Sequence, residues 1–171
     1  MGPRDTHGAT LITGDAVFDD TGVYRYRLGR RRNSGSGAVT FIMLNPSTAD
    51  ADVNDPTIRR CIGFAWDWGY RVLAVVNLFA FRATTPRELR RATHPVGPRN
   101  DEHLLTAVDG AELVVAAWGI HGALHGRDRE VTALLSTRAP LTCLGLTKHG
   151  LPRHPLYMPK RATPTPYSIP E

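Results

Sequence analysis

The sequence predicts an α/β fold, a three-layer α/β/α sandwich around a central four-stranded parallel sheet. Four short apolar runs bounded by turn-forming residues are typical of strands buried on both faces; they lie at 39–44, 71–77, 111–118 and 141–146. Helical patterns separate consecutive runs, as right-handed crossovers between parallel strands require. Since 171 residues suffice for one substantial core, we expect a single domain over 1–171.

Residues 1–37 are expected to be peripheral to this sheet. Gly14-Asp15, between two short apolar stretches, predicts a β-hairpin extension. Strict alternation through 22–28 predicts a strand with Arg25 on the face opposite the two tyrosines. The run 29–37, GRRRNSGSG, predicts a basic, flexible loop that is either solvated or in contact with phosphates.

Four helices are predicted between the strands. Apolar residues at helical spacing predict one over 57–69, where Gly69 fits a C-cap. Thr85-Pro86-Arg87-Glu88 combines a capping box with proline at the first helical position, which marks a helix start. The patterns at 99–108 and 121–136 predict the other two helices.

The charge of the chain permits a nucleic-acid partner. Its formal net charge is +5, and all of its 21 basic residues except Lys148 and Lys160 are arginines, whose planar forks suit phosphates and stack on bases. Cys61 and Cys143 form neither a disulfide framework nor a CxxC motif. No apolar run approaches the ~20 residues of a membrane span, and the N-terminus lacks a secretory pattern. We therefore expect a cytoplasmic protein with reduced thiols and no membrane partner.

Polar or turn-forming residues follow every predicted strand. They are Asn45, Asn77, Trp118-Gly119 and, in the loop after the fourth strand, His154. Because the carboxyl ends of parallel strands share one edge of a sheet, we expect these residues around a single cleft. Each also has an ordinary structural explanation, as a strand-end amide, a cap or a loop histidine.

These segments resemble, in order, the motifs of the uracil-DNA glycosylase superfamily over roughly residues 38–160. The matching motifs are Leu44-Asn45-Pro46-Ser47, Val76-Asn77-Leu78, the run through Arg82, Pro86 and Glu88, Ala116-Ala117-Trp118-Gly119, and His154-Pro155. Residues 41–50 and 145–157 also look like an uncharacterised bacterial and phage family. The sequence departs from the superfamily at Asn45, which is not Asp, at Ser47, where Gly or Tyr is common, and at Leu156, where Ser is usual. These departures leave the identity of the base open.

The resemblance implies a uracil-DNA glycosylase-like fold with Asn45 and His154 as the catalytic pair. The expected substrate contacts are Pro46, Ser47, Asn77, Phe79, Trp118 and Gly119. The expected DNA contacts are Arg82, Arg153, Leu156 and Met158, of which Leu156 or Met158 would fill the vacated stack after base flipping.

The chemistry of glycosidic cleavage suits these residue types. The base departs with negative charge, so a neutral His154 donor would stabilise the transition state by ~3 kcal/mol. The amide of Asn77 offers one acceptor and two donors to a Watson–Crick edge. Asn45 cannot take up a proton near neutral pH, so either it orients a water through its carbonyl oxygen, or Asp52 or Asp55 is the general base.

The leading hypothesis is a monomeric, monofunctional DNA glycosylase of base excision repair, a hydrolase without metal or cofactor, acting on an altered, modified or mismatched base in double- or single-stranded DNA. One alternative is a catalytically weak nucleobase- or nucleic-acid-binding module on the same fold, such as a sensor in phage defence. Another is an enzyme that acts on free nucleosides or nucleotides.

Several other enzyme classes lack their motifs in this sequence. The phosphate-loop, Rossmann and Ser-hydrolase motifs are absent, and His121 and His125 lack the glutamate of the HExxH metal-binding motif.

Overall fold

The computed structural model describes residues 11–170, which form a mixed seven-stranded sheet with helices packed on both faces. The strands are β1 (Ile12–Phe18), β2 (Arg25–Arg32), β3 (Ala38–Met43), β4 (Val72–Asn77), β5 (Leu113–Ala116), β6 (Thr142–Cys143) and β7 (Thr165–Pro166). The α-helices are α1 (Pro56–Asp67), α2 (Pro86–Arg91), α3 (Asn100–Asp109) and α4 (Arg127–Leu135). None of these helices is long and apolar enough to cross a membrane.

The strand order in the sheet is β1-β2-β4-β3-β5-β6-β7. Neighbouring strands from β4 to β6 are parallel, whereas β1, β2 and β7 add antiparallel pairings at the two sides. The predicted α/β class is therefore confirmed, and the sheet is wider than the four strands expected. The carboxyl ends of β3, β4 and β5 lie at one edge because these strands run in the same direction.

The apolar run of β3 explains why the sheet is covered on both faces. Successive side chains of a strand point to opposite faces. Phe41 and Met43 accordingly join a core cluster with α1, whereas Ile42 joins a second cluster with α2, α3 and α4. A strand without polar alternation is stable only in such a doubly covered position.

The starts of α1 and α2 are fixed by local capping. The side chain of Asp55 accepts a hydrogen bond from the backbone N–H of Ile58 at 2.8 Å. Thr85 accepts from the N–H of Glu88 at 3.2 Å, with Pro86 as the first helical residue. These bonds satisfy donors that a helix start leaves free. The predicted helix start is therefore confirmed, although the carboxylate of Glu88 accepts from the hydroxyls of Thr84 and Thr85 and not from a backbone N–H.

Two predicted elements are shorter than the sequence pattern indicated. Residues 121–136 do not form one helix but a 3-10 segment, Ile120–Gly126, followed by α4. His125 and Gly126 adopt positive φ values of 56° and 66°, which end the first segment. Of the fourth apolar run, only Thr142–Cys143 pairs as a strand.

The N-terminal hairpin exists, but its turn is not at Gly14-Asp15. Both residues lie within β1, opposite Arg30 and Gly29 of β2. The chain reverses instead between residues 18 and 25, where Oδ1 of Asp19 accepts the N–H of Tyr24 at 3.0 Å.

A β-bulge in this hairpin reverses the predicted alternation of β2. Val17 pairs with Arg27 and Phe18 with Arg25, so Tyr26 is an extra residue. The ring of Tyr26 stacks on His103 of α3 at 4.8 Å, although Leu28, two residues later, packs on the α1 side. Arg25 consequently shares the α1 side with Leu28, where the predicted alternation separated them, and it is buried.

The first four residues of the basic segment predicted as a flexible loop, 29–32, belong to β2, whereas 33–37 form the irregular connection to β3. Arg30 is 4% exposed, and its guanidinium donates to Oδ1 of Asn54 at 3.0 Å and to further backbone carbonyls. Arg32 donates to the carbonyl of Tyr70 at 2.9 Å and lies over the ring of Trp66. These two cations are bound by their own chain and are not free for phosphates.

Candidate functional site

A cavity of about 760 Å³ opens at the carboxyl edge of the parallel strands, on the α1 side of the sheet. We call it the strand-end cavity. Its wall is formed by the ends of β3, β4 and β5, the first turns of α1 and α2, and the loop after β6. The structure brings eight predicted site residues to it: Asn45, Ser47, Asn77, Trp118, Gly119, Arg153, His154 and Leu156.

The side-chain amide of Asn77 is buried at this cavity without a partner. The residue ends β4 and is 1% exposed, and neither its Oδ1 nor its Nδ2 has a hydrogen-bond partner among the described residues. Its backbone is held firmly, because Nδ2 of Asn100 donates to the carbonyls of Asn77 and Leu78 at 2.9 and 3.0 Å. Nε of Arg127 donates to the same Leu78 carbonyl at 2.8 Å. The scaffold thus fixes an amide whose polar atoms are unused.

The indole of Trp118 is a second buried polar group without a hydrogen-bond partner among the described residues. It is 1% exposed, lines the cavity, and its Nε1–H has no partner within residues 11–170. Its ring packs edge-on against Tyr167 at 5.8 Å. Trp118 therefore adds one buried donor beside the strand ends.

His154 presents a defined donor to the cavity. Its Nδ1 accepts the backbone N–H of Leu156 at 3.2 Å, which places the proton of the neutral ring on Nε2. Burial lowers the pKa of His154 below its usual value, and the negative charge of Asp55 opposes that shift. At neutral pH the ring is therefore a neutral Nε2–H donor.

Gly119 anchors the loop that carries His154. Its backbone N–H donates to the carbonyl of Pro152 at 2.9 Å, and the N–H of Arg153 donates to the carbonyl of Gly145 at 2.9 Å. Gly119 has φ 75° and ψ −167°, a conformation that is essentially restricted to glycine. The end of β5 and the His154 loop are thereby fixed to each other.

Asn45 is oriented by two backbone carbonyls. Its Nδ2 donates to the carbonyl of Pro46 at 3.0 Å and to that of Ala83 at 2.8 Å, so Oδ1 is the atom available as an acceptor. Of the two carboxylates considered as alternatives, Asp55 lines the cavity, whereas Asp52 is exposed and outside it. One oxygen of Asp55 is already the cap of α1.

Four predicted site residues are not at the cavity wall. Pro46 is buried, and its carbonyl accepts the N–H of Ala83; Phe79 is in the core with its ring edge-on to His125. Arg82 donates to the carbonyl of Gly22 at 3.1 Å and lies over the ring of Phe18 in the N-terminal hairpin. Met158 is half-buried and packs against the core cluster on the α1 side.

Sequence reasoning missed several residues of the cavity. Arg25 lines it from β2, and the signal that would have placed it there, the bulge, is not visible in the alternating sequence. Lys148 was also missed, as were three of the four residues of an apolar rim, of which only Leu156 was predicted. The apolar rim consists of Ile120, Leu146, Leu156 and Tyr157, all of them exposed and all at the cavity.

The part of the chain that the structure describes contains no group of three or more His, Cys, Asp or Glu side chains able to hold a metal ion. His121 lies at the cavity, whereas His125 packs against Phe79. Their i, i+4 spacing does not produce a pair on one helical face because the segment between them is not α-helical.

Comparison with known proteins gives a family and no relative of known activity. No curated protein matches the chain, and no solved structure matches it. A family model described as a protein of unknown function (DUF1643) matches residues 25–156, well over half of the chain. The matched segment starts at Arg25 and includes Asn77 and His154, so it contains the strand-end cavity almost completely. The chain belongs to the DUF1643 family.

Proposed function

We propose that the protein is a DNA glycosylase that hydrolyses the N-glycosidic bond of an altered, modified or mismatched base flipped into the strand-end cavity. The observation that carries this proposal is the buried, unpartnered amide of Asn77. Burying such a group without a hydrogen bond costs about 1–3 kcal/mol. A ligand that hydrogen-bonds to the amide would offset this cost and would explain why the group is buried. One acceptor and two donors on a planar amide match the edge of a nucleobase.

The other polar groups of the cavity suit the bond cleavage itself. The C1′–N bond breaks with its electron pair moving to the base, and the neutral Nε2–H of His154 hydrogen-bonds to the developing anion. Oδ1 of Asn45 accepts a hydrogen bond from the water that adds to C1′. The free oxygen of Asp55 is the group able to receive the proton of that water.

The apolar rim favours DNA over a free nucleoside as the substrate. Tyr157 is 73% exposed at the cavity mouth, where it can stack on a base, and Leu156 can fill the space that a flipped base leaves. Lys148 and Arg153 add exposed cations at the same mouth for the phosphates. A nucleoside bound inside the cavity would need neither feature.

A second candidate is a nucleobase-binding module without efficient catalysis. It is favoured by one observation: an amide, Asn45, stands where a carboxylate would activate the water, and one oxygen of the nearby Asp55 is occupied by the cap of α1. An amide does not accept a proton near neutral pH, so water activation in this cavity rests on the second Asp55 oxygen.

An oligonucleotide assay separates these functions. The protein is incubated with single- and double-stranded oligonucleotides carrying a panel of modified or mismatched bases, and alkali then cleaves at abasic sites. We expect cleavage of at least one substrate and a loss of about 100–1,000-fold in single-turnover rate for His154→Ala. His149→Ala is the matched control, because His149 is an exposed histidine of the same loop outside the cavity.

Wild-type rates in a folded His154→Ala protein would eliminate the assigned chemistry. Binding of base-modified DNA without cleavage of any substrate would favour the binding module. Release of bases from nucleosides, but not from DNA, would favour the enzyme of free nucleosides.

A further inference from the structure

Arg25 is a buried cation at the strand-end cavity with part of its hydrogen-bonding capacity unused. It is 2% exposed, and its Nη1 donates to the carbonyl of Ala49 at 3.0 Å. Its Nε–H has no partner among the described residues, and within that part of the chain Arg25 forms no ion pair. Because Arg25 lines the cavity and only its Nη1 is used, the guanidinium keeps N–H donors for acceptor atoms of a ligand, which a planar guanidinium can bind in pairs.

The charge of Arg25 is only weakly compensated by its surroundings. Burial lowers the pKa of Arg25 to about 10, which still leaves the side chain protonated at neutral pH. The carboxylates of Asp55 and Asp50 act in the opposite direction, whereas the nearby Arg82 and Arg30 add to the lowering. A buried charge without a paired counter-charge is costly, so this site favours a ligand that brings negative charge.

The depth of Arg25 indicates which part of a substrate would meet it. Arg25 and Asn77 are both almost completely buried, and they come from neighbouring strands of the sheet. Lys148 and Arg153, the other two cations of the cavity, are exposed at the mouth. The mouth therefore suits the phosphates of a nucleic acid, and the buried end suits the base.

The bulge between β1 and β2 is what delivers this guanidinium. Without the extra residue Tyr26, alternation would turn Arg25 away from the α1 side of the sheet. Bulges that re-aim one side chain occur preferentially next to active sites. The bulge therefore places the Arg25 side chain at the cavity, in addition to shaping the hairpin.

We propose that Arg25 binds the nucleobase as an anion and is a second catalytic residue beside His154. This inference rests on the proposed function. When the C1′–N bond breaks, the electron pair stays on the base, and the fixed positive charge of Arg25 stabilises it before any proton arrives. Arg25 keeps its own proton throughout, so it acts through charge and hydrogen bonds and not as an acid. The substrate class it selects is a base with two adjacent acceptor atoms that can carry the negative charge.

Binding of free bases tests this proposal without requiring catalysis. Two pairs of similar shape serve as probes: xanthine with hypoxanthine, and 5-fluorouracil with uracil. The first member of each pair ionises closer to neutral pH. Calorimetric titrations at neutral and mildly alkaline pH, where Arg25 stays charged, should show that at least one acidic base binds roughly tenfold more tightly once it is ionised. Its neutral counterpart should show no such gain.

The variants Arg25→Gln and Arg25→Lys separate charge from shape. Arg25→Gln should abolish the gain on ionisation, and Arg25→Lys should retain part of it because the charge remains without the fork. Arg30→Gln is the matched control, since Arg30 is a buried arginine of the same strand whose guanidinium binds the chain itself. It should lower the melting temperature and leave most of the preference for anions in place, because Arg30 acts on Arg25 only through its charge and does not line the cavity.

Equal affinity for ionised and neutral bases, no binding of any of the four, or an unchanged preference in folded Arg25→Gln would overturn the proposal. If no oligonucleotide is cleaved but the preference for anions is found, the glycosylase function fails and the anion site stands. If cleavage is found, Arg25→Gln should reduce its single-turnover rate by about 100-fold.

Discussion

Replacing Asn77 with leucine should stabilise the protein while removing its recognition of a base. The two side chains are similar in shape, and the amide of Asn77 has no hydrogen bond to lose within residues 11–170. Relief of an unpaired buried amide is worth about 1–3 kcal/mol. For a chain of this size, each kcal/mol shifts the melting temperature by about 2–4 °C, so we expect a rise of roughly 2–12 °C.

Asn100→Leu is the matched control for this prediction. Asn100 is also buried, but its Nδ2 donates to the carbonyls of Asn77 and Leu78. Its loss should cost about 2–4 kcal/mol, because two hydrogen bonds disappear and the Asn77 carbonyl is left unpaired. Both variants are compared by calorimetry and by binding of base-modified oligonucleotides. A clear fall in the melting temperature of Asn77→Leu would refute the view that its amide is held for a ligand.

Three further outcomes follow from the geometry of the cavity. Gly119→Ala should lose about 1–3 kcal/mol in the free energy of unfolding, measured by urea denaturation, because its φ of 75° with ψ of −167° strains any other residue; an unchanged stability would contradict this. The pKa of His154 lies below its usual value, so the unfolded state binds its proton more readily. Stability should therefore fall as pH decreases from the ordinary histidine range to the lowered pKa, cleavage should fall over the same acidic range, and His154→Gln should remove this contribution; identical pH profiles would argue against it. Replacing Lys148 and Arg153 with Gln should reduce the salt slope of DNA binding by about one per lost phosphate contact, measured by fluorescence anisotropy. An equal slope would place the DNA elsewhere.

The elements that the sequence predicted well are those specified by neighbouring residues. The start of α2 follows from Thr85, Pro86 and Glu88, which are within hydrogen-bonding reach of one another in any helical chain. The buried strands β3 and β4 were predicted from continuous apolar runs, which are typical of strands covered on both faces and not of strands with one face in solvent. The placement of Asn77 and His154 at one cavity follows in turn, because parallel strands end at the same edge.

The errors concern residues whose position depends on distant parts of the chain. The turn of the hairpin moved from Gly14 to the segment after Phe18 because β1 pairs with β2 along its whole length. Arg82 was predicted as a DNA contact from its motif. In the structure its guanidinium instead donates to the carbonyl of Gly22 and lies over the ring of Phe18.

The buried strands β3 and β4 and the start of α2 were therefore determined by the sequence itself, since hydrophobic period, caps and turn residues act over a few positions. Only the tertiary structure decided which polar groups remain unused. Nothing local distinguishes Asn77 from Asn100, but one amide faces the cavity without a partner and the other binds two carbonyls from the end of β4. Likewise, only the bulge decided that Arg25 is buried at the cavity, because hydrogen-bond satisfaction and side-chain direction are properties of packed neighbours and not of sequence spacing.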